Sequence, residues 1–115
     1  MEFKMQNLKD LYNDILAISQ EISIFLKVEN FEKIEELLDK RAEFIKKISS
    51  EHYKIEEIKK IIEKIKLIDD ENFAQLSDAK KEISKKMRNL SKNIKIISFY
   101  KMEETNKSRL VDERN

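Results

Sequence analysis

The sequence predicts an all-α, antiparallel helical bundle, and three observations carry that reading. The 115 residues include no Gly and no Pro. Turns at positive φ favour Gly and tight loops favour both residues, so their absence points to long helices joined by short connectors. Charged residues make up 41% of the chain and hydrophobic residues 40%, a balance that suits amphipathic helices with narrow apolar stripes. Those apolar residues recur at alternating three- and four-residue steps, which is the face of a helix.

The first stripe is Leu8, Leu11, Ile15, Ile18, Ile22 and Phe25, a heptad seam widened by Tyr12 and Leu26. It predicts a helix over about residues 5–27. Asn30 follows, a residue whose side-chain oxygen can accept from an unpaired amide of the next helix. That second helix is expected from Phe31 to about Ser49, with Ile34, Leu37, Leu38, Arg41, Phe44, Ile45 and Ile48 inward. Glu32 and Glu35 suit its positive end, and Lys46 and Lys47 its negative end. After a connector at Ser49-Ser50, the pattern resumes at His52 through Ile55, Ile58, Ile62 and Ile65. It continues through Leu76, Ala79, Ile83, Met87, Leu90, Ile94 and Ile97.

Carrying the heptad across this third segment puts Asp69 and Asn72 on the seam. A break at Asp69 and a single uninterrupted helix both fit. The unchanged phase favours one helix of about 48 residues, about 70 Å long at 1.5 Å per residue. The expected fold is therefore three helices with one long third helix, any bend falling near Asp69. Residues 1–101 form the bundle and 102–115 a short polar tail. Two shorter helices cover only part of such a third helix. The remainder would keep an apolar stripe that calls for a partner or a second copy of the chain.

Composition narrows the chemistry. Without Cys there is no disulfide, thiolate metal site or Cys nucleophile. Without Gly there is no phosphate-cradling loop. His52 is the sole histidine, and Glu51-His52 lacks the Glu-x-x-His spacing of helical metal sites. The acidic step Asp69-Asp70-Glu71 reads as a solvated connector or helix cap. No catalytic residue, cofactor or metal is expected. No apolar run approaches membrane-spanning length, and MEFKMQNLKD lacks a signal-peptide core. A cytoplasmic protein is the expectation.

Charge is unevenly placed. Residues 29–43 hold six acids against three bases, net −3, and residues 80–101 hold eight bases against one acid, net +7. Lys81, Lys85, Arg88, Lys92 and Lys95 share one face at helical spacing. No aromatics are interleaved among them, which favours a solvated face or a dock for an acidic protein partner over nucleic acid. Leu37-Leu38-Asp39-Lys40-Arg41 matches an LLxxR pattern that also occurs on a helix of all-helical chorismate mutases. Those enzymes use further cations that this chain lacks: the first helix has no Arg. Arg41 is expected instead to lay its methylenes on Leu38 and Ile45 while its guanidinium reaches an acid or a carbonyl.

The layout resembles a known family. An acidic helix, FEKIEELLDKRAEFIKKI, follows the first seam. Then comes IKLIDDENFAQLSDAKKEISKKMRNLSKNIKIISFY, with the step Ile68-Asp69-Asp70-Glu71, a basic second half and Tyr100 near its end. This is similar to the FliT class of flagellar export chaperones, with the FlgN class a near alternative. The resemblance implies a cytoplasmic chaperone of type III export. Such a chaperone would hold the C-terminal helical segment of the filament-cap protein unassembled and deliver it to the export apparatus. Ile83, Leu90, Ile94, Ile97 and Tyr100 are the expected client-facing stripe, with Lys81, Arg88, Lys92 and Lys95 as its basic rim. The rival reading is a homodimeric coiled coil or bundle whose stripe is covered by its own copy.

Overall fold

The computed structural model describes residues 2–49 and 51–92. Every regular element among them is helical: α1 (Glu2–Lys27), α2 (Phe31–Ile45), a 3₁₀ turn (His52–Lys54), α3 (Glu56–Leu76) and α4 (residues 81–92). Consecutive helices run in opposite directions. Lys9 of α1 meets Glu57 of α3 at 3.6 Å and Lys86 of α4 meets Asp39 of α2 at 3.1 Å. The order is thus up-down-up-down, with α1 packed on both α2 and α3.

The α1–α2 reversal uses two overlapping end motifs. Glu29 N–H donates to Leu26 O (3.1 Å) and Asn30 N–H to Phe25 O (3.0 Å), the paired bonds that close a helix C-terminus. The same Asn30 then caps α2, its side chain accepting from Lys33 N–H at 3.2 Å as the sequence predicts. The left-handed position falls on Glu29 at φ 55°, where Gly is the usual occupant because a Cβ crowds the carbonyl. Glu29→Gly is therefore expected to stabilise the fold by about 1 kcal/mol, and Asn30→Ala to cost about 1 kcal/mol. Urea midpoints of the two single variants should move in opposite directions.

The second connector departs from expectation. α2 ends at Ile45 and α3 starts at Glu56, so neither the last residues predicted for the second helix nor His52 is in an α-helix. His52 organises the gap. Its Nδ1 lies 3.3 Å from Ser49 N and 3.0 Å from Tyr12 Oη. A backbone N–H can only donate, so Nδ1 is an acceptor and the ring is neutral with its hydrogen on Nε2. Tyr12 completes the contact edge-on, its ring 5.7 Å from the imidazole, and burial pushes its phenol upward. Burial also lowers His52 from its ordinary 6.5, the neighbouring Glu51 opposing. Between that lowered value and 6.5 the unfolded chain binds a proton that the folded ring refuses. The contribution is full above about pH 6.5 and falls as pH drops below it. His52→Gln should flatten this part of the stability–pH curve, read from urea midpoints between about pH 7.5 and about pH 5.5.

The expected single third helix is corrected. It is broken, and the break lies at residues 77–80 and not near Asp69, which is an interior residue of α3. Among the described residues four α-helices stand where three were expected. Ser77 ends α3 by turning its hydroxyl onto Ala74 O at 3.0 Å, the local bonding through which Ser competes with a helix. The last carbonyl of α3, Leu76 O, is taken by Ala79 N–H at 2.9 Å and by the Ser84 hydroxyl at 2.6 Å. Lys80 O accepts from Ser84 N–H at 3.0 Å, which opens α4. The reversal folds residues 81–92 back, and Ile83, Met87 and Leu90 join the core with Ile15, Ile22, Ile34, Leu38, Ile58, Ile62, Ile65 and Leu76. The boundary at residue 101 and the polar tail lie outside the described residues.

Candidate partner-binding face

The centre of the bundle is polar. Arg41 of α2 is 0% exposed and its guanidinium pairs with Asp69 of α3, also 0% exposed. Asp69 is therefore not the solvated acid its neighbours suggested. Its second oxygen accepts from the Ser19 hydroxyl of α1 at 3.2 Å. One turn on, Asn72 donates to Ser19 O at 3.0 Å and accepts from the Ser23 hydroxyl at 2.6 Å. α4 approaches from the other side: Arg41 Nη1 lies 3.8 Å from Met87 Sδ. The Ser91 hydroxyl is near enough to favour the charged form of Asp69, yet makes no hydrogen bond. All four described α-helices thus contribute to this cluster.

Burial dominates the electrostatics of this cluster. It pushes the Asp69 carboxyl above the ordinary carboxylate range, and the Arg41 charge and hydrogen bond and the Ser19 hydroxyl pull it back. Burial likewise draws Arg41 down, and Asp69 opposes. A guanidinium stays charged even so, and the pair is an ionised one held in the buried interior. Nothing opens onto it as an active site would: Arg41 is fully enclosed. The expectation that its guanidinium reaches an acid holds, but the side chain is inside the core and does not border it.

The solvent face of α4 carries the basic residues. Lys81, Lys85, Arg88 and Lys92 are exposed at helical spacing that sets them along one side. Arg88 lies over the ring of Phe73, 5.1 Å from its centre, a cation–π geometry. Two adjoining depressions, of about 400 and about 250 Å³, share Phe73 and Arg88 as walls. Lys81, Lys85 and Glu82 line the first and Lys92 and Asp70 the second, so cations outnumber acids. The face offers a half-covered aromatic between cations.

The structure places the residues of the expected client-facing stripe differently from its basic rim. Ile83 is 2% exposed and Leu90 9%; both are covered by their own chain, because the turn at 77–80 returns α4 to the bundle. Lys81, Arg88 and Lys92 are on the surface as expected. Ile94, Ile97, Tyr100 and Lys95 lie outside the described residues. Phe73 was missed by the sequence reading. Its signal is an aromatic one residue off the Asn72–Leu76 seam, facing the side from which the basic helix arrives.

Among the described residues no group of His, Asp and Glu is arranged to hold a metal ion, and no helix is long and apolar enough to cross a membrane. No curated protein and no solved structure matches the chain. A family model does, that of flagellar protein FliT, over residues 9–102. The match spans α2, with its buried arginine, the polar seam of α3 and the basic α4, and the chain belongs to the FliT family of flagellar export chaperones.

Proposed function

We propose that this protein is a cytoplasmic chaperone of flagellar type III export. It binds the C-terminal helical segment of the filament-cap protein, keeps that protein from assembling early, and delivers it to the export apparatus. The observation that carries the reading is the exposed face of α4, where Lys81, Lys85, Arg88 and Lys92 surround Phe73. An amphipathic helix with acidic flanks suits this face. An apolar side chain would cover Phe73, and carboxylates would meet the cations at the rim. Rim charges steer encounter and set specificity more than they add affinity, which matches a client that must later be released. No step requires bond chemistry.

The test is direct. A labelled peptide of the cap protein's C-terminal segment should bind, followed by fluorescence anisotropy. The variant K81E/R88E/K92E should bind at least about tenfold more weakly with an unchanged thermal melt. Absence of binding to the unaltered chain would sink the proposal. The rival homodimer is favoured by the exposed Ile24 (60%), Val28 (68%) and Leu67 (64%). Sedimentation equilibrium separates the two, and a tight dimer that refuses the peptide would establish the rival.

A further inference from the structure

We propose that the groove at the end of the bundle where α1 begins and α2 finishes is a second docking site, one that takes a basic amphipathic helical segment of a partner protein. The groove encloses about 910 Å³, within the range of about 300–1,000 Å³ typical of binding pockets. Its floor is Leu8 and Leu11 of α1, Phe44 of α2 and Ile55 ahead of α3. Each is packed on the core on one side and only partly covered on the other. Four apolar side chains from three segments give a continuous strip, the kind of floor on which a helix lays residues at i, i+3, i+4 and i+7.

The rim selects the charge of the occupant. Asp10 and Asp14 stand one turn apart on α1, and Glu51 stands on the connector; all three are exposed. Lys47 is the one cation among the residues lining the groove. It leans over the Phe44 ring at 5.5 Å, a position that occupies it with the aromatic face. His52 also lines the groove, but as a neutral ring. The groove is therefore net negative in a chain whose formal charge is +1, and opposite in sign to the face of α4. An acidic helix would be repelled here. A second copy of the chain docking through this same patch would bring Asp10 and Asp14 against their equivalents. A segment with lysines or arginines flanking an apolar stripe satisfies both floor and rim. The site is independent of the client reading, since its acidic rim asks for the opposite kind of helix from the one that suits α4.

The probe is a synthetic helical peptide with leucine at i, i+3, i+4 and i+7 and lysine at the intervening positions, paired with a version carrying glutamate in place of lysine. Anisotropy with the full-length K81E/R88E/K92E chain, whose α4 face no longer attracts an acidic helix, should show the lysine peptide binding at least about tenfold tighter than the glutamate peptide, and more tightly still as salt is lowered. Amide shifts should centre on Leu8, Leu11, Phe44 and Ile55. D10K/D14K should lose at least about tenfold in affinity without a change in melting, while K81E/R88E should retain it. Equal binding of the two peptides to K81E/R88E/K92E, shifts confined to α4, or unchanged affinity of D10K/D14K would overturn the proposal. So would a K95E/K101E chain that binds the lysine peptide more tightly, since that assigns the groove to the protein's own C-terminal residues.

Discussion

Replacing Asp69 alone with Leu is expected to cost about 3–5 kcal/mol, because it leaves the Arg41 guanidinium buried without its counter-charge. Arg41→Met alone should cost a similar amount, since Asp69 would keep only the Ser19 hydroxyl as a hydrogen-bond partner. The double variant R41M/D69L should recover most of that loss. For both groups burial is the largest influence and acts against the charged form, so removing the pair also removes its desolvation cost. Such double replacements in other proteins are often neutral or stabilising by about 1–4 kcal/mol. Urea unfolding of the four proteins measures the coupling, expected near 3 kcal/mol. Single variants that each lose less than about 1 kcal/mol, or losses that simply add, would contradict the pairing.

The second large effect lies in the apolar core. Ile15 is 0% exposed and Ile62 1%. Truncation of either to Ala should cost about 2–5 kcal/mol, the lost transfer energy plus the cavity left where neighbours cannot collapse. Ile24 and Leu67 have the same chemistry but face solvent. Their Ala variants should stay within about 0.5 kcal/mol of the unaltered chain. Denaturant midpoints at two protein concentrations check both halves. A large, concentration-dependent loss for Ile24→Ala would place that face in an oligomer interface.

Much of this arrangement was legible because helix period and apolar spacing coincide. The seam from Leu8 to Phe25 gave α1, and Asn30 gave the start of α2 through a bond the structure contains. Extending the heptad also placed Asp69 and Asn72 inward, where both are buried. The acidity of Asp69-Asp70-Glu71 argued the other way, and packing prevailed because α2 supplies a cation at the same level. The break after Leu76 was hidden for a specific reason. Ser77-Asp78-Ala79-Lys80 contains neither Gly nor Pro, and the spacing Leu76, Ala79, Ile83, Met87 runs through it unchanged. A helix that reverses and returns to the same core keeps its apolar phase. The missing signal was short-range: two serines, Ser77 and Ser84, that bond the carbonyls at the end of α3.

That same repetitiveness gives the polar centre a further meaning. A core written largely in isoleucine at heptad spacing is nearly self-similar along its axis. Sliding α3 by seven residues past its neighbours would again set isoleucine against isoleucine, and hydrophobic burial distinguishes the two alignments poorly. Arg41, Asp69, Ser19, Asn72 and Ser23 can find one another in a single alignment only. If they act as an index mark, R41M/D69L should show duplicated amide resonances where the unaltered chain shows one set, even at recovered stability. A single set in the double variant would mean that side-chain packing alone keeps the helices in step.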